Sequence, residues 1–571
     1  MAISIEYSPD WLDPFVWVIV TGFIVAFFLA FGMGANDCAN SYGTVVGAGV
    51  LKLWHAYLLA TVCELAGAAL LGYNVTKTIR SGMVDLTMYN VYARYNETTG
   101  KWTVDDRAPC NATLPHHIDG NCTMYSSASF YFGELSALTG AAVWLIAASL
   151  FKMPVSGTQS IVGALVGFSL VLNGTNGINW KYPFHHSMLA IVLSWVISPL
   201  LSGFFSVLFY LIIKFSVFHR RDQVTASIRM LPFWFLFTLA FNLFTVFYHG
   251  SKFLHLETVN AWQSLLISVG VASAVALFIF FWGGERIKRH AIALHQRDLK
   301  SDAEPTDRVK TGRGKAVLTL TQFGERNAAF EMTEENVREV THVNGVVAEI
   351  VPAEQSTVAV LQINVAEVDT KEHNNNKKNV FVKTMHEIRR PVEEDDIAVK
   401  VFDLLQVLSA SFLAFSHGSN DTANAVGPLV AMFLSYQDRT ADRDESGNAN
   451  AEIVIVYGAV CMLIGLWLLG HKVIETIGSN ITDVNAPSGF AMTLGTAFTV
   501  LAASKAGIPI STTHCTVGSV VFVGLIRPQS RGVHWRLFAG IAFAWLVTTP
   551  VTGGLAALVT YLLAHFVLGV V

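Results

Sequence analysis

The feature that most constrains this chain is its supply of long apolar runs: roughly Phe15 to Phe31, Leu53 to Leu71, Ser187 to Ile213, Leu231 to Phe247, Ala261 to Trp282, Phe402 to Phe415, Ile453 to Leu469 and Leu537 to Val567. A helix needs about 20 apolar residues to cross a bilayer, so these read as transmembrane helices. Two further apolar pairs lie near 133 to 172 and 489 to 525. With 52% hydrophobic and 14% charged residues and a mean hydropathy of +0.46, the chain is far more apolar than a soluble domain. The expected fold is an all-α polytopic membrane protein of about ten to twelve helices. Its start, "MAISIEYSPDWLD", is acidic and has no basic n-region or cleavage site, so the first span reads as retained. A net charge of −4 says little about partners, and nothing suggests nucleic acid.

The polar loop 85–129 carries three N-glycosylation sequons, at Asn96, Asn111 and Asn121, which favours the outside. Asn173-Gly-Thr falls in the next loop expected on that side. Cys110 and Cys122 share the first loop and are a disulfide candidate if it faces an oxidising compartment; Cys38, Cys63, Cys461 and Cys515 lie in apolar segments. Three basic groups, Lys214/Arg220/Arg221/Arg229, Arg286/Lys288/Arg289 and Arg527/Arg531/Arg536, all fall inside when the sequons fall outside. That threading puts both termini outside, with the plasma membrane as the expected location. The resulting division is a first repeat over 1–214, additional helices over 215–282, a cytoplasmic and largely disordered loop over 283–400, and a second repeat over 401–571.

The word repeat rests on two matches. "FLAFGMGANDCAN" at Phe28 to Asn40 aligns without gaps to "FLAFSHGSNDTAN" at Phe412 to Asn424, with nine of thirteen positions identical. "MPVSGTQSIVG" from Met153 aligns with "IPISTTHCTVG" from Ile508, and each half then reaches a Trp-to-Pro segment, Trp195 to Pro199 and Trp545 to Pro550. Five full spans separate the copies, so they run antiparallel through the membrane, an inverted repeat of the kind that builds secondary transporters around a midplane site.

Asn36, Asp37 and Asn40 fall on one polar arc of a helix, as do Asn420, Asp421 and Asn424, and Gly34, Ala35 and Ala39 permit close backbone approach. An Asp at bilayer depth costs about 2.5–3.5 kcal/mol and should meet a cation, a proton or a partner. Oxygen-only ligands suit a hard cation such as Na⁺. The alternative reading is a structural lock, which duplication in an inverted frame disfavours. In the second motif a Pro precedes hydroxyls and an apolar run, the signature of a helix start, here expected between two short helices of a re-entrant hairpin. Two such tips would offer an oxyanion Ser156, Gly157, Thr158 and Gln159 from one half and Ser511, Thr512 and Thr513 from the other, with Asn36 and Asn420 beside them. The competing role for these hydroxyls is to glue helices together. Glu64 and Glu134 are further intramembrane acids, each a candidate cation ligand or proton carrier; their repeat counterparts are Met462 and Thr493. Lys152, beside the first tip, either attracts anions or reaches an interface. His514 and Cys515 point apart on a helix and make no nucleophilic pair, and no GxxxxGK[ST] supports ATP-driven pumping. No enzyme and no cofactor is expected.

With these motifs placed, the chain resembles the inorganic phosphate transporter (PiT) family, in its eukaryotic form with a long central loop, over about residues 15–282 and 401–567. The resemblance implies cation-coupled phosphate symport, usually with Na⁺, and cation binding around Asp37 and Asp421. It also exposes two departures: animal relatives carry His where this chain has Gln159, and Glu where it has Thr493. The expected partners are inorganic phosphate, Na⁺ or H⁺, and the lipid bilayer, with a homodimer open. The rival functions are an H⁺-coupled phosphate or other oxyanion carrier, and a channel or receptor on the same scaffold.

Overall fold

The computed structural model describes residues 15–37, 39–81, 83–84, 86, 127–181, 187–248, 256–303, 392–438, 449–474, 481–527 and 532–568, with strand pieces at 93–96, 101–104, 117–118, 121–122, 342–343, 346–349 and 362–363. The chain forms two compact units, Met1–Leu299 with Ile388–Val571, and Lys300–Glu387. In the first, the helices are α1 (Val16–Asn36), α2 (Ala39–Gly47), α3 (Leu53–Ser81), α4 (Ser127–Leu150), α5 (Gly157–Asn173), α6 (Met188–Ile213), α7 (Gln223–Phe247), α8 (Ala261–Phe278) and α9 (Gly284–Ala303). They continue with α10 (Asp396–Val401), α11 (Asp403–Asp438), α12 (Ala449–Leu469), α13 (Ala486–Lys505), α14 (Thr512–Ile526) and α15 (Trp535–Leu563). Eleven helical stretches among the described residues are long and apolar enough to cross a membrane. Helix α9 begins at Gly284, inside the stretch read from sequence as loop.

Two short antiparallel pairs, β1 (Ala93–Asn96) with β2 (Lys101–Val104) and β3 (His117–Ile118) with β4 (Asn121–Cys122), occupy the loop that carries the sequons. Asn96 closes β1, and Asn121 and Cys122 form β4, whereas Asn111 and Cys110 lie outside the described residues. The second unit contributes three short antiparallel strands, β5 (His342–Val343), β6 (Val346–Glu349) and β7 (Gln362–Ile363).

Helix packing follows the duplication. Taking α1/α11, α3/α12, α4/α13, α5/α14 and α6/α15 as equivalents, every major pairing has its exchange partner: α1 packs on α4 and α12, and α11 on α13 and α3. Likewise α5 packs on α15 and α14 on α6, while α15 also meets α4 and α6 meets α13. Helices α7 and α8 stand outside this exchange and pack on each other.

Two crossings show why small residues recur. A Cβ at Gly34 would lie 1.8 Å from the Met462 carbonyl oxygen, and one at Gly465 would lie 1.9 Å from that of Phe31. The equivalent crossing puts Gly418 2.1 Å from the Glu64 oxygen and Gly67 1.9 Å from the Phe415 oxygen by the same measure. Backbones therefore touch at both places, as in small-residue packing of membrane helices.

The hairpins α4–α5 and α13–α14 are the interior of the bundle. Among 18-residue windows of the spans, 78% of the one in α5 and 83% of that in α13 are buried, against 28% for α15 and for the α8–α9 stretch. The irregular backbone is buried from Pro154 and from Pro509 onward, whereas Phe151 and Lys152 at the first turn and Ala506 at the second are exposed. Both turns close alike. Met153 N–H donates to Ala148 O and Ile508 N–H to Ala503 O, around Lys152 (φ +58°) and Gly507 (φ +69°), a Schellman stop for α4 and α13.

Three sequence expectations need adjustment. The hairpin arms are longer than short half-helices, with 24 residues in α4 and 20 in α13; only α14, at 15, falls below the length of a span. Counting back from each Pro along unbroken helix, Glu134 stands twenty residues before Pro154 but Thr493 sixteen before Pro509, one turn out of register, so Gly489 is the counterpart of Glu134. Asn173 is buried at the end of α5, where an oligosaccharide has no room.

Candidate functional site

Each tip begins with a capped helix. Ser156 Oγ accepts from Gln159 N–H (3.1 Å) and Ser511 Oγ from His514 N–H (3.1 Å), so the two serines foremost among the predicted anion ligands are N-caps. The carboxylates complete the helix starts. Asp37, the C-cap of α1, accepts from Gly157 N–H at 3.0 Å and from the Thr513 hydroxyl at 2.9 Å. The first-tip amide that the sequence offers to an anion is held here by the chain's own carboxylate, the position a helix dipole favours for negative charge. Asn36 fixes the approach to this tip, donating to Met153 O (2.8 Å) and accepting from Val155 N–H (3.1 Å).

Asp421 lies within unbroken α11 and is more heavily clothed. It accepts from Thr512 Oγ1 (2.6 Å), Asn420 Nδ2 (2.7 Å) and Asn424 Nδ2 (3.1 Å). His417, one turn earlier, brings Nε2 to 2.8 Å from Asp421 Oδ2 and Nδ1 to 3.3 Å from Glu64 Oε1. Glu64 thus joins the site through an imidazole. The signal for His417 in the sequence is its i, i+4 spacing to Asp421, where the first copy has Met33. Glu134 is buried in α4 but sixteen residues, about 24 Å of helix, from that arm's end at Leu150, so the fold does not bring it to the tips.

The two tips exchange hydrogen bonds. Thr158 donates to Ile510 O (3.0 Å) and accepts from Asn424 (2.8 Å); Thr513 accepts from Asn40 (2.9 Å), and its hydroxyl, whose one proton goes to Asp37, lies 3.2 Å from Val155 O. Val155 and Ile510 occupy equivalent places in the two Pro motifs, as do Thr158 and Thr513 and as do Asn40 and Asn424, so each contact has its counterpart. Asn420 adds a bond to Ile510 O at 2.8 Å.

Several amide oxygens are left over. Asn40 Oδ1, Asn420 Oδ1, Asn424 Oδ1 and Gln159 Oε1 are buried with no hydrogen-bond partner. Buried acceptors of this kind are costly unless something fills them. Neutral carbonyl oxygens beside two carboxylates form the donor set of a hard monovalent or divalent cation. Behind the second tip, the His514 ring lies 3.2 Å from Trp195 O through Nδ1 and 4.0 Å from the Trp545 ring. It is a wall of the site rather than part of a nucleophilic pair with the buried Cys515.

Comparison with known proteins adds an independent strand. A sodium-dependent phosphate transporter 2 of Xenopus tropicalis is 31% identical, aligned over 98% of this chain and 99% of its own. A sodium-dependent phosphate transporter 1-A of Danio rerio is also 31% identical, and the type 1 protein of Rattus norvegicus is 29% identical over 97% of this chain and 96% of its own. A solved structure titled as the sodium-dependent phosphate transporter superposes with a TM-score of 0.66 at 25% identity, covering 97% of this chain and all of the other. The sequence profile of the phosphate transporter family matches residues 33–556, and with the fold and paired motifs in place the chain belongs to that family.

Proposed function

We propose that this integral membrane protein imports inorganic phosphate together with Na⁺, by alternating access around a pocket between the two tips, the two repeats lying inverted in the membrane. The observation that carries the reading is the placement of Asp37 and Asp421 on the starts of the two tips. With both carboxylates bare, the anion site repels an anion; cations bound by Asp37, Asp421, Asn40 and Asn424 would neutralise them. Gly157, Thr512 and Thr513 would then be released towards phosphate, with Asn36, Asn420, Ser156, Thr158, Ser511 and Gln159 shaping the pocket. Cation and phosphate binding are coupled because each removes the electrostatic penalty of the other. Glu64, through His417, would set the charge of the second carboxylate.

The membrane potential sets the stoichiometry. Each charge moved is worth about 2.3 kcal/mol per 100 mV, so import against an inside-negative potential is opposed unless cations outnumber the charges on phosphate. Two or more Na⁺ per monovalent phosphate follow, and uptake should carry inward positive current. Plasma membrane, external termini, a cytoplasmic central segment and glycans at Asn96, Asn111 and Asn121 complete the reading. The test is labelled-phosphate flux in proteoliposomes with a Na⁺ gradient, against choline replacement at fixed pH. Uptake that follows Na⁺ supports the proposal. Uptake that ignores Na⁺ and follows a pH gradient would replace it with proton coupling, and dissipative flux with neither would make the protein a channel.

A further inference from the structure

The helices outside the duplication, α7 and α8, carry no part of the transport site, yet one end of them is built unlike the rest of the surface. The turn between α6 and α7 exposes Arg220 and Arg221, and Arg229 is exposed two turns into α7. Helix α9 adds Arg286, Lys288 and Arg289. The two segments are neighbours: a Cβ at Gly284 would lie 3.0 Å from Ile228 Cγ2. Asp222 caps α7 through Thr225 N–H at 2.9 Å, and its carboxyl is held below its usual range by Thr225 first and then by the charges of Lys288 and Arg229. These segments carry six basic side chains and two acids, Asp222 and Glu285, and the acidic run Glu393 to Asp396 meets them at Gln223, which donates to Glu393 O (2.7 Å) and accepts from Asp395 N–H (2.8 Å). Immediately on the membrane side, Phe280, Phe281 and Trp282 are 64%, 65% and 62% exposed.

A groove of about 410 Å³ runs down the adjoining membrane face, with Phe233, Phe237, Phe241 and Phe244 of α7 on one side and Leu265 and Val269 of α8 on the other; every side chain that lines it is apolar. Phe233 lies one turn beyond Arg229 on the same face, so the groove opens at the basic patch and extends about 16 Å from it. Guanidinium and ammonium groups on the same two segments as an apolar trough have the chemistry of one amphiphile.

We propose that this corner binds an anionic phospholipid, its headgroup phosphate held by Arg220, Arg221 and Lys288 and an acyl chain seated in the α7–α8 groove. Basic residues that merely set topology would show no preference among bound lipids and no dependence on the groove. The test uses the full chain, extracted from vesicles of phosphatidylcholine doped with phosphatidylserine, with retained lipid read by native mass spectrometry. Phosphatidylserine should be enriched over phosphatidylcholine, and Lys288→Gln should cut that enrichment about fivefold. Ala240→Trp, which fills the groove and alters no charge, should lower retention of the lipid as well. Equal retention of the two lipids, or Lys288→Gln enrichment equal to wild type, overturns the headgroup site. Unchanged retention in Ala240→Trp overturns the assignment of the groove.

Discussion

The two halves of the bundle carry the same motif and use it differently. In the first, the helix stops at Asn36 and resumes at Ala39, and Asp37 sits at the stop with a backbone amide and one hydroxyl as donors. In the second, α11 runs through from Asp403 to Asp438, and Asp421 is met by one hydroxyl, two amides and an imidazole tied to Glu64. At the equivalent places the first half has Met33 and Met462, a thioether pair where the second has an acid and a base. The two copies share the geometry, and only the second has the His417–Glu64 link to its aspartate. The difference implies that the two carboxylates are not interchangeable.

The contrast is most directly broken at the aspartates. Asp37→Asn and Asp421→Asn should each reduce phosphate uptake to near background, because each removes a negative charge on which the proposed Na⁺ site depends. Asp421→Asn should also lower the unfolding midpoint, since it leaves His417 and Glu64 without their third member, whereas Asp37→Asn should not. Equal midpoints in scanning fluorimetry would erase the distinction. Where the halves are alike, equal effects are expected: Gly34→Ala and Gly418→Ala each push a methyl into a facing carbonyl and should destabilise by about 3 kcal/mol, measured by the same melts. A large difference between them would show that the crossings are not equivalent.

Thr158→Val and Thr513→Val sharpen the comparison further. Each removes one exchanged hydroxyl, at about 1–2 kcal/mol, but Thr513→Val also strips a donor from Asp37 and should raise the apparent KM for Na⁺ more. The smallest effect belongs to the turns. Lys152 adopts the left-handed backbone that Gly507 adopts freely, so Lys152→Gly should stabilise and Gly507→Ala destabilise, each by about 1 kcal/mol.

Much of this arrangement was legible in the chain because it is written twice. The spans, the two Asn-Asp-x-x-Asn motifs and the Pro-led helix starts each follow from local composition and spacing, and Gly34 was recognisable as a point of close approach. What escaped depends on distance. The bridge from Glu64 to Asp421 joins α3 to α11 through His417, and nothing in the local sequence around it, Ser416 and Gly418, points to α3. That Asp37 would itself occupy the anion position at Gly157 requires knowing how α1 meets α5. The counterpart of Glu134 was misassigned for a simpler reason: the arms of the hairpins align from their tips, and a four-residue register error is invisible in apolar sequence.

The exchanged threonines have one more consequence. Because Thr158 and Thr513 each fasten the opposite tip while being fastened by the opposite helix, neither tip can swing away alone without stranding groups on both sides. The two are interlocked hooks, and parting either tip from its neighbour breaks bonds on both sides at once.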